Sequence, residues 1–311
     1  MLGLLGLVLV WKGQTARVPG SAAFVSIAEG MTTLLFLFLA ASYAVKAVMR
    51  PGAVVDDLNT LPGRTGLAAM ALGFLVLARF AVPRQTFGGL TGSALFSTSF
   101  LCIGTLVLLA IALYVGLHRL RGTDQAGPPT PAMHLVFVGF VLIPGSALPL
   151  GVPPALVEAV LIYCCLAALI IMAITIRPLL TGAGAPSLRP LQAIQLAPPG
   201  FLTVGAFLTS HYTLALIAVV WASLVAVLLV VRIRWLTEGG FSGFWSAFTF
   251  PATAYVGALF LVYDTFFWPW VWTLGAALLV VVTLYIPVIA YRVLKLWATG
   301  MLAAKTNASI A

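Results

Sequence analysis

The chain has 311 residues, of which 62% are hydrophobic and 7% charged, with a mean hydropathy of +1.14. A soluble domain carries roughly 25% charged residues, so soluble globular, disordered and disulfide-scaffold classes are excluded together. Sixteen Lys and Arg against seven Asp and Glu give a net charge of +9. The basic residues stand singly or in pairs between apolar runs, without interleaved aromatics, which argues against a nucleic-acid partner. Cys102, Cys164 and Cys165 all fall inside apolar runs and read as packing residues, not as a metal or disulfide framework.

Crossing a hydrocarbon core of about 30 Å takes about 20 apolar helical residues. Residues 2–11 come first and are too short to cross at 1.5 Å each. They lack a charged leading region and a small-residue cleavage site, and are read as the end of a first helix whose beginning is shortened. Nine apolar segments follow, at 24–45, 65–82, 93–117, 132–150, 154–176, 191–209, 212–231, 244–263 and 268–291. The expected fold is an all-α polytopic membrane protein, residues 1–311 forming a single transmembrane domain of ten helices.

The connections divide by charge. The loops after segments two, four, six and eight, with the basic tail 292–311, hold Lys46, Arg50, Arg64, Arg119, Arg121, Arg177, Arg189, Arg232, Arg234, Arg292, Lys295 and Lys305. The other set holds Lys12, Arg17, Arg79 and Arg84. Positive-inside bias predicts both termini in the cytoplasm. The outer turns, at 151–153 and around Ser210 and His211, are tight, so the ten helices read as five hairpins.

Proline separates the two helices of each hairpin. Segment five carries Pro144 and Pro149, segment seven Pro198 and Pro199, and segment nine Pro251. Each removes an i→i−4 bond and bends its helix; Pro198 frees the Ile194 carbonyl and Pro251 that of Ala247. In a membrane, freed carbonyls must be buried in protein or face a water-filled cavity. Segments two, four, six and eight have no interior proline, whereas segment ten has Pro287 near one end. Kinked odd helices around a central pore, with straighter even helices outside, follow as the expected arrangement.

Enzyme motifs are missing: there is no HExxH, aspartate-rich prenyl-diphosphate motif, GxSxG or nucleotide loop. The seven acids fall in loops or near helix ends, and His118, His134 and His211 read as interfacial. No catalytic pair, metal site or cofactor is expected. A pore without buried charge can still pass anions by a net positive field, polar backbone at kinks and small polar side chains. Ser146, Gln192, Gln195, Thr203, Thr249 and Thr253 either line such a path or hydrogen-bond between helices. Arg79 and Arg84 stand at the outer mouth, as anion attractors or as interfacial anchors.

Two stretches carry a family resemblance. Residues 188–208 read LRPLQAIQLAPPGFLTVGAFL and residues 241–259 read FSGFWSAFTFPATAYVGAL. The Leu-Ala-Pro-Pro run at 196–199, with Trp245 and the Phe248-Thr249-Phe250-Pro251 run, resembles the tellurite-resistance/dicarboxylate transporter family. That family includes yeast malate and sulfite transporters and the plant guard-cell slow anion channel. The resemblance implies a homotrimer in the plasma membrane, each ten-helix protomer passing small anions across the lipid bilayer through its own pore. It also implies that the ninth-helix phenylalanine plugs the pore, which maps onto Phe250; from the residues alone, Phe250 beside the Pro251 kink reads as ordinary interhelical packing. The chain departs from the family in having Leu61-Pro62 where a His-Pro pair often precedes the third helix. A proton-coupled dicarboxylate or sulfite exporter is the alternative within transport; an intramembrane enzyme or membrane scaffold is the rival from another class.

Overall fold

The structure, a computed structural model, describes residues 1–82 and 92–302. Among these, every regular element is helical. We label α1 (Leu2–Gln14), α2 (Ser21–Met49), α3 (Leu61–Ala81) and α4 (Gly92–Leu120). The next segment, α5, is broken into Met133–Phe137, a 3-10 turn at Gly139–Leu142, and Pro144–Ala147. Then come α6 (Pro154–Thr175), α7 (Pro186–Leu208), α8 (Tyr212–Val231), α9 (Gly243–Phe266) and α10 (Pro269–Ala298). Eight of these, α2–α4 and α6–α10, are long and apolar enough to cross a membrane. The 13-residue α1 and the interrupted α5 fall outside that group, so length and composition support eight spans where the sequence reading expects ten.

Burial sorts the helices by their place in the chain. The apolar stretches of α3, α7 and α9 are 56%, 78% and 67% buried, whereas those of α2, α4, α6, α8 and α10 are 11% to 33% buried. A helix that hides one narrow stripe and shows aliphatic side chains elsewhere matches a lipid-facing position. Leu34, Leu106, Ile170, Leu224 and Leu284 are exposed on the five even helices in this way.

The prolines act where the sequence places them, by changing helix type. Residues Pro186–Leu196 of α7 are 3-10 and the α-helix begins at Ala197; in α9, Gly243–Phe248 are 3-10 and the α-helix begins at Phe250. Pro198, Pro199 and Pro251 have no N–H to give to the turn before them, and the tighter i→i+3 pattern recovers part of what is lost. The Ile194 carbonyl, freed by Pro198, accepts instead from the Ala197 N–H.

One end of the molecule is locked by arginine. Arg64, at the start of α3, donates from both terminal nitrogens to Asp124 at 3.1 and 2.6 Å and from Nε to the Leu58 carbonyl at 3.0 Å. Arg119, at the end of α4, pairs with the same carboxylate at 2.8 Å. Burial alone raises the Asp124 pKa, but the Arg64 and Ala126 hydrogen bonds and the two guanidinium charges outweigh it. They hold the carboxyl below its ordinary value.

Candidate permeation path

All five odd segments converge on one cavity of about 560 Å³, contributing among others Gly6 of α1, Val76 of α3, Leu142 of α5, Val204 of α7 and Gly257 of α9. It lies at the end opposite the Arg64–Asp124 lock. Its charged rim is largely neutralised. Lys12 pairs with Glu29 at 2.7 Å and donates to the Phe80 carbonyl at 3.0 Å, and Arg17 pairs with Asp264. Arg79 differs: its guanidinium donates to the Gly145 carbonyl at 2.6 Å, and no carboxylate pairs with it among the described residues. Arg84, the other arginine expected at this mouth, lies outside the described residues.

Phe250 forms the floor of this vestibule. Its side chain is 4% exposed, and its ring lies 4.8 Å from that of Phe201, centroid to centroid, at 35°. On its far side is a cavity of about 20 Å³, room for about one water, lined by Leu72, His134, Val138, Ala197 and Pro198. Phe250, Phe201, Val141 and Leu142 line both spaces. A third cavity, about 730 Å³, opens toward the arginine-locked end between α1, α2, α3, α9 and α10, and Thr249 reaches it.

Phe250 holds its position because α1 approaches it without a side chain. A Cβ at Gly6 would stand 2.8 Å from Phe250 Cδ2 and would overlap Thr253 Oγ1; a Cβ at Gly3 would overlap Thr249. Two glycines three residues apart therefore give α1 a smooth face against α9, as small residues do between membrane helices. This spacing is visible in the sequence, yet its partner across 244 residues is not.

The polar candidates divide. Thr253 lines the vestibule and donates to the Phe250 carbonyl at 2.8 Å; Thr249 donates to the Ser246 carbonyl at 2.7 Å. Thr203 is fully buried and donates to the Pro199 carbonyl at 2.8 Å. Buried Ser146 Oγ and Gln192 Oε1 have no hydrogen-bond partner among the described residues. Gln195 bridges two helices, from His134 on α5 to Thr175 on α6. Of the prolines, Pro198 lines the small cavity; Pro144, Pro199 and Pro251 are buried at their helix starts.

His134 corrects the sequence reading. Expected at the membrane interface, it is 2% exposed and hydrogen-bonded to Gln195, because Ala132 and Met133 before it are already packed against the bundle. His211 does lie at an outer turn, 3.6 Å from Glu158, and His118 Nδ1 contacts the Tyr114 carbonyl near the end of α4. Among the described residues no three His, Cys, Asp or Glu side chains gather as a metal site.

No curated protein matches this chain. The family model described as voltage-dependent anion channel, SLAC1, matches residues 1–294, nearly the whole chain. The match agrees with the resemblance carried by the 188–208 and 241–259 stretches, and with a multi-pass helical membrane protein that moves anions. The chain belongs to the SLAC1 family of voltage-dependent anion channels.

Proposed function

We propose that this chain is a plasma-membrane anion channel whose central path is closed by the Phe250 ring. The observation that carries the reading is that Phe250 lines both the 560 Å³ vestibule and the small cavity beyond it, and stands with Phe201, Val141 and Leu142 between the two. Turning a side chain about χ1 is a small motion that joins the two spaces without moving a helix. Small anions, of the chloride, nitrate, sulfite, tellurite or dicarboxylate type, fit a path whose largely neutralised rim keeps Arg79 without an acid partner among the described residues and whose floor is aromatic.

In this reading α1 and α5 complete a set of ten segments in five hairpins, with both termini cytoplasmic. Three protomers associate through the lipid-facing even helices, each with its own pore. The cytoplasmic assignment is supported by the arginines that crowd one end of the molecule.

The test is planar-bilayer current from purified protein and from Phe250→Ala under a chloride gradient. An anion-selective current that grows in the variant is expected. Folded Phe250→Ala protein with wild-type current removes the ring from the gate. Silence in both proteins removes the channel reading in favour of a coupled exporter.

A further inference from the structure

The wall of the vestibule carries hydrogen-bond donors with nothing to bond among the described residues. Arg79 reaches it from α3, and the bond to the Gly145 carbonyl is made by Nη1 alone. Nε and Nη2 have no partner among the described residues, and neither is sealed inside protein. These two nitrogens form one edge of the planar guanidinium, with their N–H bonds parallel. The Gly145 bond therefore fixes the plane through the third nitrogen and leaves the two-donor edge open. A Cβ at residue 145 would stand 3.6 Å from Nε, so glycine also leaves space beside that edge.

Gln14, the last residue of α1, adds a second donor. It is 5% exposed and lines the same cavity. Its Oε1 accepts from Arg17 Nη1 at 3.1 Å, which turns the amide nitrogen the other way. That nitrogen has no partner among the described residues and is not sealed inside protein, so the cavity is the open space it meets. Lys12 donates to the Phe80 carbonyl at 3.0 Å, which draws the last turn of α1 against the last turn of α3, where Gln14 and Arg79 stand. Asp264, the acid on this lining, is taken up by Arg17. Elsewhere the wall is apolar, with Val76, Leu142, Phe201 and Phe260, and a low local dielectric strengthens hydrogen bonds made against it.

We propose that Arg79 and Gln14 form a binding site for a small planar oxyanion of the carboxylate or nitrate type. Two oxygens of the anion accept from the Nε–Nη2 edge, one on each N–H, and the Gln14 amide donates from the α1 side. A halide gains the charge but has a single centre to set against two parallel donors, so the site prefers the oxyanion. One guanidinium and one amide make a weak site that empties as readily as it fills, as a conduction path requires. That the bound anion is also the permeant rests on the channel reading. Binding itself does not, because the site lies on the vestibule side of Phe250 and is reached with the ring closed.

Two measurements test it, with formate as the probe. Formate holds its water more tightly than chloride, so a preference for it cannot arise from the cost of dehydration. The first measurement needs no current. Sodium formate replacing sodium chloride at constant ionic strength should raise the melting temperature of the protein in detergent, since a ligand of the native state stabilises it by mass action. Arg79→Lys keeps the charge and loses the two-donor edge, so the half-saturating formate concentration should rise about 10-fold. Gln14→Glu keeps the acceptor for Arg17 and sets a carboxylate oxygen in place of the amide nitrogen, so the formate response should vanish. An absent formate response in wild type, or equal half-saturation in Arg79→Lys, overturns the site; a response that survives Gln14→Glu overturns the part given to Gln14. The second measurement is current. Formate added to Phe250→Ala bilayers should slow chloride current saturably, and Phe250→Ala/Arg79→Lys should relieve that slowing. Chloride current indifferent to formate, with the melting response intact, separates the site from the conduction path. A silent Phe250→Ala refutes the gate while the melting response still decides the site.

Discussion

The ring of Phe250 rests against Gly6 of α1, at a point where a Cβ would stand 2.8 Å from Cδ2 and 3.1 Å from Cε2. No L-residue larger than glycine leaves the ring where it is. On the proposed gate, Gly6→Ala therefore disfavours the closed position, since a ring turned aside from the path escapes the added methyl. Overpacking of this kind costs about 1–3 kcal/mol, equivalent to about 5–150-fold in the open-to-closed ratio. Chloride efflux from proteoliposomes should rise accordingly. Efflux equal to wild type in folded protein would mean that the ring slides along Phe201 and the path stays shut.

Phe201 supplies the opposing face, 4.8 Å away. Aromatic pairs contribute about 0.5–1.5 kcal/mol beyond the area they bury. Phe201→Leu keeps most of the volume and loses that term, so the open state should gain about 2- to 10-fold. The gain should vanish in a Phe250→Ala background, where no ring remains to be held. Additive effects of the two substitutions would place Phe201 outside the gate.

Arg79 faces the vestibule without an acid partner among the described residues. One charge at contact distance is worth about 1 kcal/mol in water, a factor of about five in local anion concentration. Arg79→Gln should lower single-channel conductance by up to that factor at 10 mM salt and by little at 1 M, because salt screens exposed charge. Arg79→Lys keeps the charge and should keep most of the conductance. A deficit that is the same at both salt concentrations would assign Arg79 to holding Gly145 instead.

Asp124 binds Arg64 and Arg119 in a nearly buried cluster, with side-chain exposures of 7%, 6% and 23%. Removing one partner of a buried pair leaves the other charge uncompensated, at about 3–5 kcal/mol. Asp124→Ala should lower the detergent melting temperature markedly. The carboxyl is held below its ordinary pKa, so its contribution is complete above that ordinary value and is lost as pH falls through the depressed folded-state value. Wild-type protein should therefore lose melting temperature in acid below the usual carboxylate range, and Asp124→Ala should lose less over the same interval.

Sequence carries the features that repeat along the chain or act within one helix. Apolar length, the arginine alternation and the prolines are of this kind; the bends expected at Pro198 and Pro251 fall where the structure changes from 3-10 to α, at Ala197 and Phe250, a change of helix type the sequence reading did not contain. Contacts between helices are another matter, because rotation of each helix about its axis is set by packing against all its neighbours at once. His134 to Gln195 spans 61 residues and Gln195 to Thr175 spans 20, and nothing local marks either as a bonded pair. Gln195 and Thr203, read as either polar lining or hydrogen-bonding groups, spend their hydrogen bonds on Thr175 and on the Pro199 carbonyl. The close approach of Gly3 and Gly6 to Thr249 and Phe250 was read only from the structure, because nothing in 2–11 marks which helix α1 packs against.

The pairing of Lys12 with Glu29 and of Arg17 with Asp264 at the vestibule rim bears on throughput. A mouth lined by three bare cations would draw anions in strongly and release them slowly, and conduction needs departure as much as arrival. With two of the three neutralised locally, the well that remains is shallow. Residence there is brief, occupancy stays low at ordinary concentrations, and flux keeps rising with supply where a deeper trap would already have saturated.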